Sequence, residues 1–395
     1  MIQVANGKIV LVEDDFRAIE GFVRKLEAAV KGYGCRCDVE TREAPKLDSN
    51  EALTDSDTQM VVVDYELTRK RSDETIPGYA GGALVRALRE ERQDIPLVVV
   101  TRPEVFGRYS EVRSLGDTAD LVFFKNTLDD AESGLGRKLV SLINGYASIS
   151  KERRRKHNWK LLMEVLKASE EESMLLNETN PPIGPDDSPR TEDFGISDSL
   201  PPCGDVPFRG WTAHDVSRWV IGILFKYPGL LYDLAYASTC LGVRPRDFGV
   251  SQIQSLLVGT RYQGVFSDFG NYWWRGRLRN TAASLVEETG FRPLHEIFVP
   301  WLRKSQSVRV AGAKCNSSGT EYADTVCYVL REPVKTAYSL AYYPDNRPSI
   351  MDVARVSYKA VKTSNRVKRR LIGRSDWDLF DAIRKGESET FGCDS

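Results

Sequence analysis

Ile9-Val10-Leu11-Val12-Glu13-Asp14-Asp15 decides how the first part of this chain is read. Four apolar residues run directly into three carboxylates. An apolar run without alternation marks a strand buried on both faces of a parallel sheet. In open α/β sheets, ligands bind at the C-terminal ends of the strands. Carboxylates gathered at such an end repel one another and call for a cation, and an all-oxygen ligand set suits Mg²⁺. Three later stretches repeat the pattern of an apolar strand ending on one polar residue. They are Met60-Val61-Val62-Val63-Asp64, Pro96-Leu97-Val98-Val99-Val100-Thr101 and Leu121-Val122-Phe123-Phe124-Lys125.

Between these strands the spacing turns helical. Ile19, Phe22, Val23, Leu26 and Val30 form one apolar stripe within 16–31. Cys35 to Thr41 reads as a second strand, with Cys35 and Cys37 on one face. Gly81-Gly82 opens a helix through Leu84, Val85 and Leu88, another helix follows Thr101, and Leu135, Leu139, Leu142, Ile143 and Tyr146 mark a last one. Strand and helix alternating five times predict a doubly wound, five-stranded parallel sheet over residues 1–149.

Phosphoryl transfer to a carboxylate needs a nucleophilic Asp, a divalent metal against the phosphoryl oxygens, a fixed cation and a hydroxyl that reads the product. Asp64, the pair Glu13 and Asp14, Lys125 and Thr101 supply these in order. The constellation resembles the receiver domain of two-component response regulators. That resemblance implies Asp64 as phospho-acceptor, Lys125 and Thr101 as its partners, and Glu13, Asp14 and Asp64 as ligands of Mg²⁺. It also implies a histidine kinase or phosphotransfer protein as phosphodonor. The chain departs from the family in several places. The stretch from Asp64 to Gly81 is long, Arg102 stands where a small residue is usual, Asn126 replaces the customary proline, and Val122 occupies a position where an aromatic switch residue is common. Arg102 is placed either to narrow access to Asp64 or to pair with the phosphoryl group.

The length of 395 residues predicts two or three domains. A net charge of −1 favours no class of partner globally, so charge has to be read locally. Seven cysteines without a CxxC read as reduced thiols, and the three scattered histidines suggest neither a metal site nor a catalytic dyad. The sequence enters a strand within ten residues, without a signal peptide, and no apolar run is long enough to span a bilayer. A cytoplasmic protein without membrane contact is expected.

Residues 150–176 continue the helical pattern as a connector through Trp159, Leu162, Val165 and Leu166. It is either one long exit helix, able to pair two copies into a homodimer, or two helices with a basic joint at 151–156. Residues 177–207 carry seven prolines among acids and predict a linker without a core. From 208 to 395 a separate, mainly helical output domain is expected. Thr212 is a candidate N-cap for a helix to Phe225, and further helices are expected over 232–241, 251–257, 277–289 (with Gly290 as C-cap), 294–304, 350–371 and 377–384. A strand pair is expected at 308–310 and 326–330. Tyr272-Trp273-Trp274-Arg275-Gly276-Arg277 reads as core tryptophans beside surface arginines, with base stacking as the alternative. Residues 349–374 set Arg355, Lys359, Lys362, Arg366, Lys368, Arg369, Arg370 and Arg374 against Asp352 alone. Within them, Val356 to Thr363 resembles the turn and recognition-helix start of helix-turn-helix regulators. The expected output is DNA binding and transcriptional control, the alternative a protein-interaction or enzymatic effector.

Overall fold

The computed structural model describes residues 7–13, 16–44, 53, 55–67, 81–103, 115, 118–129, 134–153, 159–172, 176, 212–286, 292–320, 322–345 and 352–386. Five parallel strands, β1 (Gly7–Val12), β2 (Cys37–Arg42), β3 (Thr58–Asp64), β4 (Leu97–Thr101) and β5 (Leu121–Phe124), lie in the order β2-β1-β3-β4-β5. Side chains alternate across this sheet, as the strand period requires. Ile9, Leu11, Met60, Val62, Val98 and Val100 enter the core under α1 (Phe16–Lys31) and α3 (Leu135–Arg153). Val10, Val12, Val61, Val63, Leu97 and Val99 enter the opposite core under α2 (Gly81–Glu91). Cys35 and Cys37 are buried in the same core as α1, as free thiols. The doubly wound sheet is therefore as the apolar runs predict. The helix expected after Thr101 falls outside the described residues.

The exit pattern forms two helices, α3 and α4 (Trp159–Leu166). Residues 177–211, the acidic linker included, lie outside the described set. The remainder is largely helical with small sheets. Its helices are α5 (Ala213–Trp219, continued by a π turn to Leu224), α6 (Leu234–Cys240), α7 (Ser251–Leu256), α8 (Arg275–Val286), α9 (Leu294–Ser305), α10 (Tyr358–Thr363) and α11 (Trp377–Lys385). Thr212 caps α5 in a capping box with Asp215, as expected. Gly290 lies outside the described residues. β6 (Leu231–Asp233) pairs with β7 (Tyr272–Trp274). A four-stranded sheet has the order β10-β11-β8-β9, with β8 at Thr325–Cys327, β9 at Glu332–Val334, β10 at Ser339–Tyr342 and β11 at Ala354–Ser357.

Two expectations need correction. Val308 to Val310 is buried at both ends but joins no ladder; the Arg303 guanidinium donates to the Val310 carbonyl at 2.8 and 3.0 Å instead. Residues 350–371 are not one helix. Ala354–Ser357 is a strand, antiparallel to β10 and parallel to β8, and Ser357 then caps α10 by accepting from the Ala360 amide at 3.2 Å. Val356, Ala360, Val367 and Leu371 are buried, by a strand, a helix of six residues and the turns that follow it. Val353, just before β11, is 46% exposed.

The two halves share one core. Leu139, Leu142, Ile143, Tyr146 and Ile149 of α3 pack with Leu161, Leu162, Val165 and Leu166 of α4, and with Val216, Trp219, Phe266 and Trp274 beyond the linker. A Cβ on Gly145 would lie 2.2 Å from the Phe266 ring, so glycine is needed for this approach. Val265 N–H donates to Val165 at 2.8 Å, and Arg277 donates to Glu172 at 2.6 Å. The stripe through Leu162 and Val165 that could have paired two copies is thus closed by this chain itself. A second, polar joint is buried beside it. Asp120, just before β5, accepts from Arg89 of α2 at 2.6 Å, from the Leu97 amide at 2.8 Å and from the Tyr146 hydroxyl of α3. His214 of α5 meets the same carboxylate at 3.2 Å.

Candidate functional site

The strand registers bring four predicted residues to one edge. Val12 pairs with Val63, Asp64 with Val100, and Thr101 with Phe124. Glu13, Asp64, Thr101 and Lys125 therefore end neighbouring strands at the same level. Burial is deep, with Glu13 4%, Asp64 2% and Thr101 0% exposed. The Lys125 ammonium donates to Asp64 Oδ2 at 2.6 Å and to Glu13 Oε2 at 2.9 Å. Asp64 Oδ1 also accepts the Glu66 amide at 3.3 Å.

One ammonium is too little positive charge for two buried carboxylates. Burial first, then the Asp64 charge and hydrogen bond, push the Glu13 carboxyl up to about 8 against the opposing pull of Lys125. Burial works to lower the Lys125 ammonium, but Asp64 and then Glu13 overrule it, so its pKa is raised. The Thr101 hydroxyl is buried without a hydrogen-bond partner among the described residues. Such a group costs about 1–3 kcal/mol until something fills its bonding capacity. A hard divalent cation between the carboxylates and a phosphoryl oxygen at Thr101 would answer both deficits, so the residues present fit Mg²⁺ and a phosphoryl group. Asp14, the third expected ligand, lies outside the described residues, as does Asp15.

α2 begins against this edge. A Cβ on Gly81 would lie 2.0 Å from the Asp64 carbonyl oxygen, and the Gly81 amide donates to Tyr65 O at 3.0 Å. Only glycine allows that approach. The Arg102 guanidinium pairs with Glu66 at 3.4 Å and is about half exposed.

The basic residues of 349–374 do not share one helix face. Arg355 sits on β11 and donates to Ser339 O at 2.6 Å and Thr336 O at 3.1 Å. Lys359 pairs with Glu332 at 3.0 Å, and Arg370 with Asp345 at 2.9 Å. Arg369 pairs with Asp381 at 3.1 Å and lies over the Trp377 ring. Lys362, Arg366 and Lys368 are exposed, without an ion pair among the described residues. Trp273 and Trp274 are core residues, and Arg277 stacks on Trp274 at 5.5 Å. Sequence reasoning missed the joint at Asp120. Its one local signal is a carboxylate immediately before an apolar strand.

No protein-family model matches the chain, and no curated protein matches it. Solved structures do. A response regulator receiver domain protein from Clostridium thermocellum is 14% identical, with a TM-score of 0.25, covering 34% of this chain and 94% of its own. The response regulator TrrA from Thermotoga maritima, solved with Mg²⁺ and BeF, is 22% identical, with a TM-score of 0.22 and coverage of 34% and 98%. An adenylate cyclase from Rhodopirellula baltica is 18% identical, with a TM-score of 0.25 and coverage of 37% and 98%. What carries the assignment is the strand order, which is that of the flavodoxin-like doubly wound sheets, together with the side chains at the strand ends. From β1 to α3, this chain has the flavodoxin-like doubly wound fold, which receiver domains also adopt.

Proposed function

We propose that the protein is a response regulator whose receiver accepts a phosphoryl group on Asp64 and thereby controls its C-terminal half. The observation that carries this is the Lys125 ammonium shared by the two buried carboxylates beside an unpartnered Thr101 hydroxyl. The phosphodonor is a histidine kinase or a phosphotransfer protein. A carboxylate oxygen of Asp64 attacks phosphorus, the donor's nitrogen–phosphorus bond breaks, and an acyl phosphate forms. Lys125 stays within reach to pair with the new charge, and the Thr101 hydroxyl donates to a phosphoryl oxygen. Mg²⁺ held by Glu13, Asp14 and Asp64 would neutralise charge on the transferred group. Incubation with Mg²⁺ and beryllofluoride, or with a small phosphodonor, should alter the wild type and leave Asp64→Asn unchanged. Indifference to both EDTA and the substitution would reduce the receiver to a contact module.

For the output we propose nucleic-acid binding, carried by Lys362, Arg366 and Lys368. These exposed cations have no carboxylate among the described residues to neutralise them, unlike their bonded neighbours. Replacing all three with alanine should flatten the dependence of log affinity on log salt by about 0.9 for each phosphate that the protein ceases to neutralise. An unchanged slope would remove this surface as the contact. A second reading, an output that binds a small molecule, is favoured by a cavity in the same half.

A further inference from the structure

α6 presents Tyr236, Thr239 and Cys240 to a cavity of about 250 Å³, closed by Tyr232 of β6, by the start of α9, by β8 and by the residues before β11. This cavity lies wholly in the C-terminal half, away from Asp64. Its lining holds two buried hydroxyls without partners and two solvent-exposed charges of opposite sign. Thr239 is 1% exposed, and neither its hydroxyl nor that of Tyr236 has a hydrogen-bond partner among the described residues. Arg279 and Asp324 both line the cavity, yet they form no ion pair with each other or with another described residue. Among the described residues, Asp324 accepts the Thr336 amide, at 2.7 Å. Asp352 is already answered: both of its carboxylate oxygens accept from Arg275 at 2.7 Å. Burial lowers the pKa of His295, which keeps its ring neutral at neutral pH.

A ligand bearing one charge would satisfy one pole and leave the other unanswered. A ligand carrying a carboxylate and an ammonium satisfies both, and its bound form is neutral overall. We infer that this cavity binds a small zwitterion of the amino-acid class, with its carboxylate toward Arg279, its ammonium toward Asp324, and the Thr239 and Tyr236 hydroxyls available to its polar side chain. The α9 N-terminus also borders the cavity. Leu294 and His295 line the cavity as the first residues of a twelve-residue helix, and Pro293 supplies no side-chain cap.

The full chain is tested by isothermal titration with each of the free proteinogenic amino acids, and the best binder is compared with its N-acetyl and carboxamide derivatives. At least one free amino acid should bind. Blocking either charged end should weaken it tenfold or more, as should Arg279→Gln and Asp324→Asn. Both positions are exposed at the cavity mouth, so both variants should melt with the wild type when no ligand is present. Arg366→Gln, on the basic surface, should bind as the wild type does. The inference is overturned if no free amino acid binds, if a blocked derivative binds equally well, or if neither cavity variant weakens binding. Phosphorylation of Asp64 is read separately, so its failure leaves this result unaffected.

Discussion

Replacing Asp120 by Asn tests the polar joint between the halves. The Asp120 side chain is fully buried and its partner Arg89 is 7% exposed. Asparagine keeps the shape. Its amide oxygen can still accept from Arg89 and the Leu97 amide, while its NH₂ turns toward the Tyr146 hydroxyl and His214. What disappears is the charge opposite a buried guanidinium. Breaking a buried pair from one side costs about 3–5 kcal/mol. Arg89 retains the carbonyls of Thr118, Arg92 and Ile95, each at 3.1 Å, which places Asp120→Asn near the lower end. Asp120→Ala, which removes the acceptors as well, belongs near the upper end. The dependence on pH has a definite sign. Burial pushes the Asp120 carboxyl up, but the Arg89 charge, then His214 and Tyr146, overrule it and hold the group at about 2 against an ordinary 3.8. A carboxyl depressed by folding stabilises the protein above its unfolded pKa, and that stability is lost as pH falls through the folded value. The depression corresponds to about 2 kcal/mol, so most of the wild type's advantage over Asp120→Asn should vanish between about pH 4 and pH 2. Urea unfolding followed by tryptophan fluorescence measures both quantities. A loss under about 1 kcal/mol at pH 7, or one that persists unchanged to pH 2, would refute an ion pair at the joint.

Three further changes probe separate links. Gly145→Val drives a side chain into the Phe266 ring and should cost about 1–3 kcal/mol, read as a lower melting temperature with both halves still folded. Thr212→Ala removes the α5 capping box and should cost about 1 kcal/mol in the same assay. Thr101→Val keeps the volume and deletes the unpartnered hydroxyl; it should stabilise the unphosphorylated protein by about 1 kcal/mol while shortening the lifetime of phosphorylated Asp64.

The receiver was legible because its strands are buried on both faces. Ile9 to Val12 and Met60 to Val63 admit no polar alternation, and each polar terminus marks where its strand leaves the core. The spacing of four different strand ends then assembled Glu13, Asp64, Thr101 and Lys125 without any tertiary information. Residues 350–371 were misread because their apolar spacing serves either a helix or a strand followed by a short helix. The choice is made by β10, whose Ser339 pairs with Ser357 across a long loop. The joint at Asp120 was invisible for the same reason. Its partners lie 31, 26 and 94 residues away, and none of those spacings leaves a periodic trace.

The placement of α2 links the two ends of the receiver. Its first residue, Gly81, abuts the Asp64 carbonyl, and its ninth, Arg89, anchors Asp120 at the far edge of the sheet. Eight residues of helix span about 12 Å, so one rigid element runs from the candidate phospho-acceptor to the joint with the C-terminal half. No apolar slide can absorb a shift of this helix at the Arg89 end, because the guanidinium is held by three carbonyls and a carboxylate that also binds Tyr146 and His214. Phosphorylating Asp64 would load the side chain of the residue whose carbonyl abuts Gly81. An axial movement of α2 in response must either break the Arg89–Asp120 pair or carry Asp120, and with it Tyr146 and His214, along. Either outcome changes how α5 sits on α3. The coupling therefore makes a distinguishing demand: Arg89→Met with Asp120→Asn should leave phosphorylation of Asp64 intact while uncoupling it from the C-terminal half. Amide exchange over 213–224 should respond to beryllofluoride in the wild type and not in the double variant. An equal response in both would mean that the signal leaves the receiver by another route.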